Sequence, residues 1–227
     1  MRSRPAVVAH RGAHPGGTTE NTMRAFALAL DAGADMIELD VRRTGDGQLA
    51  ILHDQAHAGV ALDSCSLDEF ERRTGLRPPL LTEVLDWAAG RIALDVELKE
   101  GGYAEQVAPL LAAFAAGGGE LLITSFRGPL LARLAQISPA LRLGLLLELS
   151  AERAPERARA AGAATVLPEI KLVDERLLAE AAEAGLELIV WDFMATDHAP
   201  LLADARVAGV ITDDVPGALS ARTALTP

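Results

Sequence analysis

The sequence of 227 residues lacks features that would place it in several classes of protein. Its one cysteine, Cys65, excludes an internal disulfide and a cysteine-based metal cluster. Aromatic residues make up 4% of the chain, and no apolar stretch reaches the roughly 18–20 residues of a membrane span. Only the short apolar run Ala6–Ala9 follows the basic N-terminus, far less than the roughly 7–15 residues of a signal-peptide core. We therefore expect a cytoplasmic protein.

Positive charge is also scarce. Lys and Arg number 21 against 32 Asp and Glu, which gives a net charge of −11. No basic cluster exceeds a pair such as Arg42-Arg43, whereas a protein that binds nucleic acid carries a basic patch. We therefore expect no nucleic-acid partner and no stable association with anionic membranes. A small-molecule ligand that is anionic would need a local positive site.

Half of the residues are hydrophobic, which is enough for one large core. Short apolar runs alternate eight times with segments of helical periodicity, and 227 residues divided by eight gives about 28 per unit. This alternation is typical of a parallel sheet, and eight units favour a closed (β/α)8 TIM barrel, an α/β fold. No GxGxxG motif follows the first strand, which argues against an open dinucleotide-binding sheet.

One domain is expected over residues 1–227, with a short irregular excursion at about 54–80 after the second unit. The predicted strands are Ala6–Ala9, Met36–Val41, Ile92–Leu98, Leu121–Thr124, Leu141–Leu147, Thr165–Leu167, Leu186–Trp191 and Gly209–Thr212, with Leu49–Leu52 as an extra strand. The predicted helices are Asn21–Ala32, Leu81–Ala89, Tyr103–Ala116, Leu130–Ile137, Ala151–Ala161, Asp174–Ala184, Pro200–Ala205 and Val215–Arg222.

Acidic residues fall at the carboxyl ends of the predicted strands, where the active sites of such barrels lie. Glu38 and Asp40 are two residues apart in one strand, and Glu97 and Lys99 in the next, so each pair points to one face. A buried salt-bridge network is one interpretation. Three acids against one lysine leave excess negative charge, however, which favours a bound cation. Hard oxygen ligands suit one divalent cation, Mg²⁺ or Ca²⁺, and suit zinc poorly.

Cationic and imidazole side chains are expected at the same end of the barrel. Arg11 and Lys99 would supply the guanidinium fork and the point charge that hold a phosphate. His10 and His53 would form an acid–base pair, because imidazole titrates near neutral pH. A lone histidine after a strand is usually structural. Two histidines expected beside acids and an arginine favour a catalytic role instead. A metal and two histidines around a phosphate indicate phosphodiester hydrolysis.

At this point the residues resemble the ordered motifs of glycerophosphodiester phosphodiesterases. The resemblance extends from residue 7 to residue 217, and the order and spacing of the motifs together are highly specific. The motifs are His10-Arg11-Gly12, Glu20-Asn21-Thr22, Ile37–Val41, His53-Asp54, Glu97-Leu98-Lys99, Ser125-Phe126, Val190-Trp191 and Ile211–Asp213 with Pro216.

The resemblance implies a (β/α)8 barrel that hydrolyses glycerophosphodiesters to sn-glycerol 3-phosphate and an alcohol. The implied route is attack by a glycerol hydroxyl, which gives a cyclic phosphate that water then opens. The implied site has a divalent ion on Glu38, Asp40 and Glu97, general acid–base catalysis by His10 and His53, and phosphate contacts from Arg11 and Lys99.

The chain departs from the family pattern in two places. Gln55–Gly59 stands where the family usually has Arg-Thr-Thr, and Asp192-Phe193-Met194 stands where it usually has Thr-Val-Asn. Both segments fall on rims expected to touch the alcohol or glycerol part of a substrate. They therefore bear on substrate choice more than on the reaction.

Further residues have two interpretations each. Trp191 is either a core aromatic or a wall of the substrate pocket. Glu169 and Lys171 either reach the mouth of the barrel or form a solvated pair. The segment Glu20-Asn21-Thr22 either begins a helix or contributes to the site, and the two roles can coexist. We expect Asp213-Asp214 to fix the closing turn, and no chemical role for Ser125 as a nucleophile or for His14, His57, His198 and Cys65.

Two other functions fit the same residues. A related phospholipase D-type barrel that acts on lysophospholipids would need an apolar rim, for which five Phe, two Trp and one Tyr are few. A catalytically silent barrel that binds a phosphorylated ligand would be expected to have lost a histidine or a metal carboxylate. Both histidines and all three acids are present, so the sequence favours the phosphodiesterase.

Overall fold

The computed structural model describes residues 4–17 and 19–225. Its strands are β1 (Ala6–Ala9), β2 (Met36–Arg43), β3 (Leu49–Ile51), β4 (Ala56–His57), β5 (Val60–Ala61), β6 (Ala93–Leu98), β7 (Leu121–Ser125), β8 (Leu143–Leu147), β9 (Thr165–Pro168), β10 (Glu187–Val190) and β11 (Val207–Thr212). Its α-helices are α1 (Met23–Asp31), α2 (Leu67–Thr74), α3 (Leu81–Ala88), α4 (Ala104–Ala116), α5 (Gly128–Ile137), α6 (Ala154–Ala161), α7 (Glu175–Glu183), α8 (Ala195–His198) and α9 (Val215–Ala224).

Eight of the strands close into a parallel barrel. Their order is β1-β11-β10-β9-β8-β7-β6-β2, and pairing between β1 and β2 completes the ring. Helices lie between successive barrel strands in the chain. Strand β3 is the extra strand and pairs antiparallel with β2. The predicted (β/α)8 barrel is therefore confirmed.

The barrel interior has an apolar floor, to which each of the eight strands contributes one residue. These residues pack in one cluster because side chains alternate between the two faces of a strand, and the inward ones meet. The floor consists of Val8, Met36, Ala93, Leu122, Leu146, Leu167, Ile189 and Ile211. A larger core, which includes Phe26, Leu81 and Leu111, fills the space between the barrel and the surrounding helices.

The excursion after β3 is more regular than its sequence indicated. It contains the β4–β5 hairpin and helix α2. The Ser66 side chain accepts a hydrogen bond from the Glu69 amide at the start of α2, and Gly75 ends it with a φ of 73°. A small apolar cluster of Ala50, Val60, Leu62, Leu67 and Phe70 holds the excursion against the barrel.

The remaining differences are at element boundaries. The predicted helix Pro200–Ala205 is a 3-10 segment over Ala199–Ala203 that follows the short helix α8. Among the helices that the structure describes, none has the length and apolar character needed to cross a membrane.

Candidate active site

The inward-facing positions change from apolar to polar one step above the floor, towards the carboxyl ends of the strands. Each residue of this second layer lies two positions after a floor residue, which is the strand period. The layer consists of His10, Glu38, Asp95, Thr124, Glu148, Glu169, Trp191 and Asp213. A cavity of about 380 Å³ opens here, and most of the predicted site residues line it, namely His10, Arg11, Glu38, His53, Glu97, Lys99 and Trp191.

The three predicted metal ligands form a buried cluster. Glu38, Asp40 and Glu97 each offer a carboxylate oxygen, and these atoms all lie within 4.8 Å of one another. Burial, together with the neighbouring carboxylates, raises the pKa of Glu38 well above its usual value. The same causes raise the pKa of Glu97 to about 7, although Lys99 opposes the shift. Burial and mutual repulsion therefore disfavour full ionisation of the cluster unless a cation is bound.

Two cations reach this cluster. Lys99 Nζ lies 3.1 Å from Asp40 Oδ1 and 2.9 Å from Glu97 Oε1. The Arg11 backbone amide donates to Glu38 Oε2 at 2.9 Å, and Arg11 Nε lies 3.4 Å from Asp40 Oδ2. Burial alone would raise the pKa of Asp40, but these two cations hold it below its usual value. Lys99 and Arg11 thus stabilise Asp40 as a carboxylate.

The turn after β1 aims Arg11 at the cluster. Arg11 has a φ of 53° and Gly12 a φ of 85°, so the chain bends through the left-handed region. A Cβ on Gly12 would lie 2.7 Å from the Ala25 backbone carbonyl carbon, so only glycine fits against α1.

The segment before α1 has both of the roles that the sequence left open. Thr22 Oγ1 accepts a hydrogen bond from the Ala25 amide and caps the helix. Asn21 is buried and donates to Asp40 Oδ2 at 2.7 Å, and Glu20 accepts from Arg11 Nη1 at 2.9 Å. Helix capping and support of the site therefore come from the same three residues.

Each predicted catalytic histidine has a carboxylate partner on its Nδ1 atom. His10 Nδ1 lies 2.7 Å from Asp213 Oδ1, and His53 Nδ1 lies 2.9 Å from Asp54 Oδ1. The hydrogen bond from His10 lowers the pKa of Asp213, which is therefore ionised at neutral pH. Burial lowers the pKa of His53. In both rings the hydrogen bond to a carboxyl group through Nδ1 leaves Nε2 available for proton transfer.

Three residues in or beside the site have contacts that the sequence analysis did not predict. Asp95 is fully buried, lines the cavity and accepts from Thr124 Oγ1 at 2.7 Å, and burial raises its pKa to about 7. Its position two residues before Glu97 was the available signal. Asp213 was expected only to fix a turn, a role that Asp214 fills by capping α9. His14, expected to be inert, has Nε2 3.4 Å from Asp213 Oδ1.

The far wall of the cavity is aromatic and aliphatic. Trp191 lines the cavity, packs edge-on against Phe126 with ring centroids 5.8 Å apart, and donates from Nε1 to the Leu167 carbonyl at 2.7 Å.

Glu169, also predicted to contact substrate, does not line the cavity within the described ranges and forms an ion pair with Lys171 instead. Ser125 is buried and donates to the Leu98 carbonyl at 2.7 Å, in keeping with a structural hydroxyl.

The donor set of the acid cluster fits a divalent cation. All three groups are hard carboxylate oxygens, which Mg²⁺ and Ca²⁺ prefer, and neither histidine nor thiolate is among them. The three acids are buried close together, and Arg11 and Lys99 are the cations in contact with Asp40 and Glu97. The cluster could therefore hold a metal ion.

The fold and the site define a class, that of (β/α)8-barrel enzymes with a charged active site at the carboxyl ends of the strands. The sequence model described as the glycerophosphoryl diester phosphodiesterase family matches residues 10–216. The chain belongs to this family, as its motifs indicated, and is an enzyme that hydrolyses glycerophosphodiesters.

Individual relatives cover nearly the whole chain. The glycerophosphodiester phosphodiesterase of Caldanaerobacter subterraneus subsp. tengcongensis is 27% identical over 92% of this chain and 93% of its own length. The structure of a glycerophosphodiester phosphodiesterase from Agrobacterium tumefaciens has a TM-score of 0.78 and 26% identity, over 96% of this chain and 99% of its own. A phosphodiesterase of Oleispira antarctica, solved with its product sn-glycerol-3-phosphate, shares the fold with a TM-score of 0.82 and 22% identity over 96% of each chain.

Proposed function

We propose that this cavity converts glycerophosphodiesters to sn-glycerol 3-phosphate and an alcohol, with one divalent cation and with histidine acid–base catalysis. The observation that carries the proposal is the buried cluster of Glu38, Asp40 and Glu97 in a site that His10 and His53 also line. The three acids would hold Mg²⁺ or Ca²⁺. When bound, the ion supplies positive charge that offsets the charge developing on the phosphate oxygens.

Arg11 and Lys99 would hold the phosphodiester against this cluster. Both side chains are largely buried, with exposed fractions of 18% and 13%, and both already face carboxylates. An anion that approaches the cavity meets these two cations and the imidazoles, although the chain as a whole carries a net charge of −11. A guanidinium fork and an ammonium point charge are the groups that orient phosphate oxygens.

His10 and His53 would move the protons. One imidazole takes the proton of the attacking glycerol hydroxyl at Nε2, while the other gives a proton to the leaving alkoxide oxygen. The product of this half-reaction is a cyclic phosphate and a free alcohol. In the second half-reaction the former acid takes a proton from water as the water oxygen bonds to phosphorus, and the former base returns its proton to the glycerol oxygen whose bond to phosphorus breaks. Asp213 and Asp54 keep the Nδ1 proton of each ring in place.

The test is an assay of sn-glycerol 3-phosphate release from a panel of glycerophosphodiesters. We expect release that chelator abolishes and that added Mg²⁺ or Ca²⁺ restores. We also expect the ion to raise the melting temperature, because binding to the native state alone stabilises it. Full activity in chelator, with no change in melting temperature on adding either ion, would refute the metal assignment.

One observation favours a lysophospholipid as a second type of substrate. The loops after β8 and β10 expose Leu149 and Met194, with exposed fractions of 89% and 56%, and Phe126 is exposed after β7. These three side chains supply apolar surface at the rim, which the low aromatic content of the sequence did not predict. Release of choline from lysophosphatidylcholine, at a rate comparable to that for glycerophosphocholine, would support this candidate.

A further inference from the structure

We propose that the mouth of the cavity selects a cationic alcohol, an amine or quaternary ammonium, as the leaving group of the diester. This inference rests on the proposed function and names the substrate class for it. The subsite consists of the carboxylates of Glu148 and Asp192 and the rings of Phe126 and Trp191, all of which line the cavity.

The two carboxylates carry negative charge that the protein leaves uncompensated. Glu148 follows β8 and belongs to the second inward-facing layer, and Asp192 follows Trp191 after β10. Within residues 4–17 and 19–225, neither side chain has an ion pair or a hydrogen bond. Glu169, the equivalent position after β9, is by contrast paired with Lys171. The difference leaves two free acids at the mouth of the cavity.

The aromatic pair provides the second element of a cation site. Phe126 and Trp191 meet edge to face, at an interplanar angle of 84°, and Phe126 remains 41% exposed. The face of an aromatic ring carries negative potential, so it attracts ammonium groups, most of all quaternary ones. Rings and carboxylates lining one cavity therefore favour a cation there over a neutral or anionic group.

The charges of the cavity match those of a zwitterionic diester. Arg11 follows β1 and Lys99 follows β6, and both strands are neighbours of β2 in the barrel. The phosphate is proposed to bind on this side, whereas Glu148 and Asp192 follow β8 and β10 on the other side. A substrate with phosphate at one end and an ammonium at the other complements both sides. An alcohol with an anionic group would meet like charge at the mouth.

Asp192 is also one of the positions where this chain departs from its family pattern. Its φ of 56° places it in the left-handed region, which aspartate and asparagine tolerate better than other non-glycine residues. Replacement by asparagine therefore removes the charge and keeps the backbone conformation. The same change of charge is available at Glu148 by glutamine.

The first experiment compares kcat/KM for three diesters by release of sn-glycerol 3-phosphate. We expect glycerophosphocholine and glycerophosphoethanolamine to exceed glycerophosphoglycerol by about tenfold. Glu148→Gln and Asp192→Asn should each lower this ratio about threefold, and the double variant should remove most of it. Glu152→Gln, an exposed carboxylate on the same rim that does not line the cavity, is the matched control and should leave the ratio unchanged.

The second experiment measures binding without turnover. Choline should quench or shift the tryptophan fluorescence of the full chain at concentrations where 3,3-dimethylbutan-1-ol, its uncharged isostere, does not, and the double variant should lose the difference. Equal kcat/KM for the three diesters, or a preference that persists in the double variant, overturns the subsite and leaves the proposed hydrolysis intact. Release from none of the diesters overturns the proposed function, and equal binding of choline and its isostere then overturns the subsite separately.

Discussion

The amino-terminal and carboxyl-terminal ends of the barrel strands differ in how far their buried charged side chains are neutralised by ion pairs. At the amino-terminal end, Arg222 of α9 is buried and paired with Asp35, just before β2. Arg222 also donates to the Pro5 carbonyl at 3.0 Å, and Asp35 accepts from the Val7 amide at 2.8 Å. The charges of this ion pair offset each other, and backbone groups occupy more of the hydrogen-bonding capacity of both side chains.

At the carboxyl-terminal end the charges do not balance. Within residues 4–17 and 19–225, four carboxylates are buried there, and the cations that contact them are Arg11 and Lys99. The acids are Glu38, Asp40, Asp95 and Glu97. Uncompensated buried charge lowers stability unless a ligand supplies the opposite sign. The balanced end therefore serves the fold, whereas the end with excess acid is arranged for ligands.

The largest predicted effect is a loss of catalytic rate, and it is expected only from changes at the carboxyl-terminal end. His10→Ala or His53→Ala should lower kcat by roughly 10²–10⁴-fold, the usual contribution of acid–base groups. Because both rings line an open cavity, the free energy of unfolding should change little. Gln136→Ala, exposed in α5 and outside the residues that line the cavity, is the control and should keep full activity. A histidine variant that hydrolyses the diesters at the unmodified rate would disprove the acid–base assignment.

The second prediction is that removing a charged side chain changes the free energy of unfolding in opposite directions at the two ends. Arg222→Met leaves Asp35 without its cation and should cost about 2–3 kcal/mol, less than for a fully buried pair because Asp35 is 22% exposed. Glu38→Gln removes a carboxyl group whose ionisation burial disfavours, so it should stabilise the metal-free protein.

Urea unfolding in chelator measures both free energies, and the diester assay measures what each variant can still do. Arg222→Met should remain active per folded molecule, and Glu38→Gln should be inactive. If Glu38→Gln destabilised the metal-free protein as much as Arg222→Met does, the two ends would not differ in the way described.

The barrel and most of the site follow from patterns that are local in the sequence. Strand–helix alternation repeats every unit, and the spacing of Glu38 to Asp40 and of Glu97 to Lys99 reflects the strand period. The structure gathers these residues as expected because parallel strands end at one rim. Helix α2 was missed because its apolar positions are few and it packs on a small cluster apart from the main core.

Other features depend on contacts that no local pattern encodes. His10 and Asp213 are 203 positions apart, and they meet because pairing between β1 and β11 brings Ala9 opposite Thr212. More residues of the second inward-facing layer were predictable from the sequence, since Asp95 and Glu148 each lie two positions after a floor residue. The strand period does not reveal that Glu169 pairs with Lys171 while Glu148 has no ion pair among the residues that the structure describes.

The smallest predicted effect concerns the contact that joins the two ends of the chain at the site. Asp213→Asn keeps a hydrogen-bonding side chain but removes the charge that holds His10 by Nδ1, so kcat should fall about tenfold with little change in KM. Asp197→Asn, exposed in α8, is the control. Unchanged kcat in Asp213→Asn would remove Asp213 from the proposed mechanism.

The stability of the same variant should depend on pH in a defined direction. Because the hydrogen bond from His10 depresses the pKa of folded Asp213, its contribution is present above the unfolded value of about 3.9 and is lost as the pH falls through the folded value. The side chain is 66% exposed, so the contribution is no more than about 1 kcal/mol. The difference in free energy of unfolding between the unmodified protein and Asp213→Asn should therefore be constant from about pH 5 upwards and shrink below about pH 4. A difference that grows on acidification would mean that His10 does not stabilise the Asp213 carboxylate.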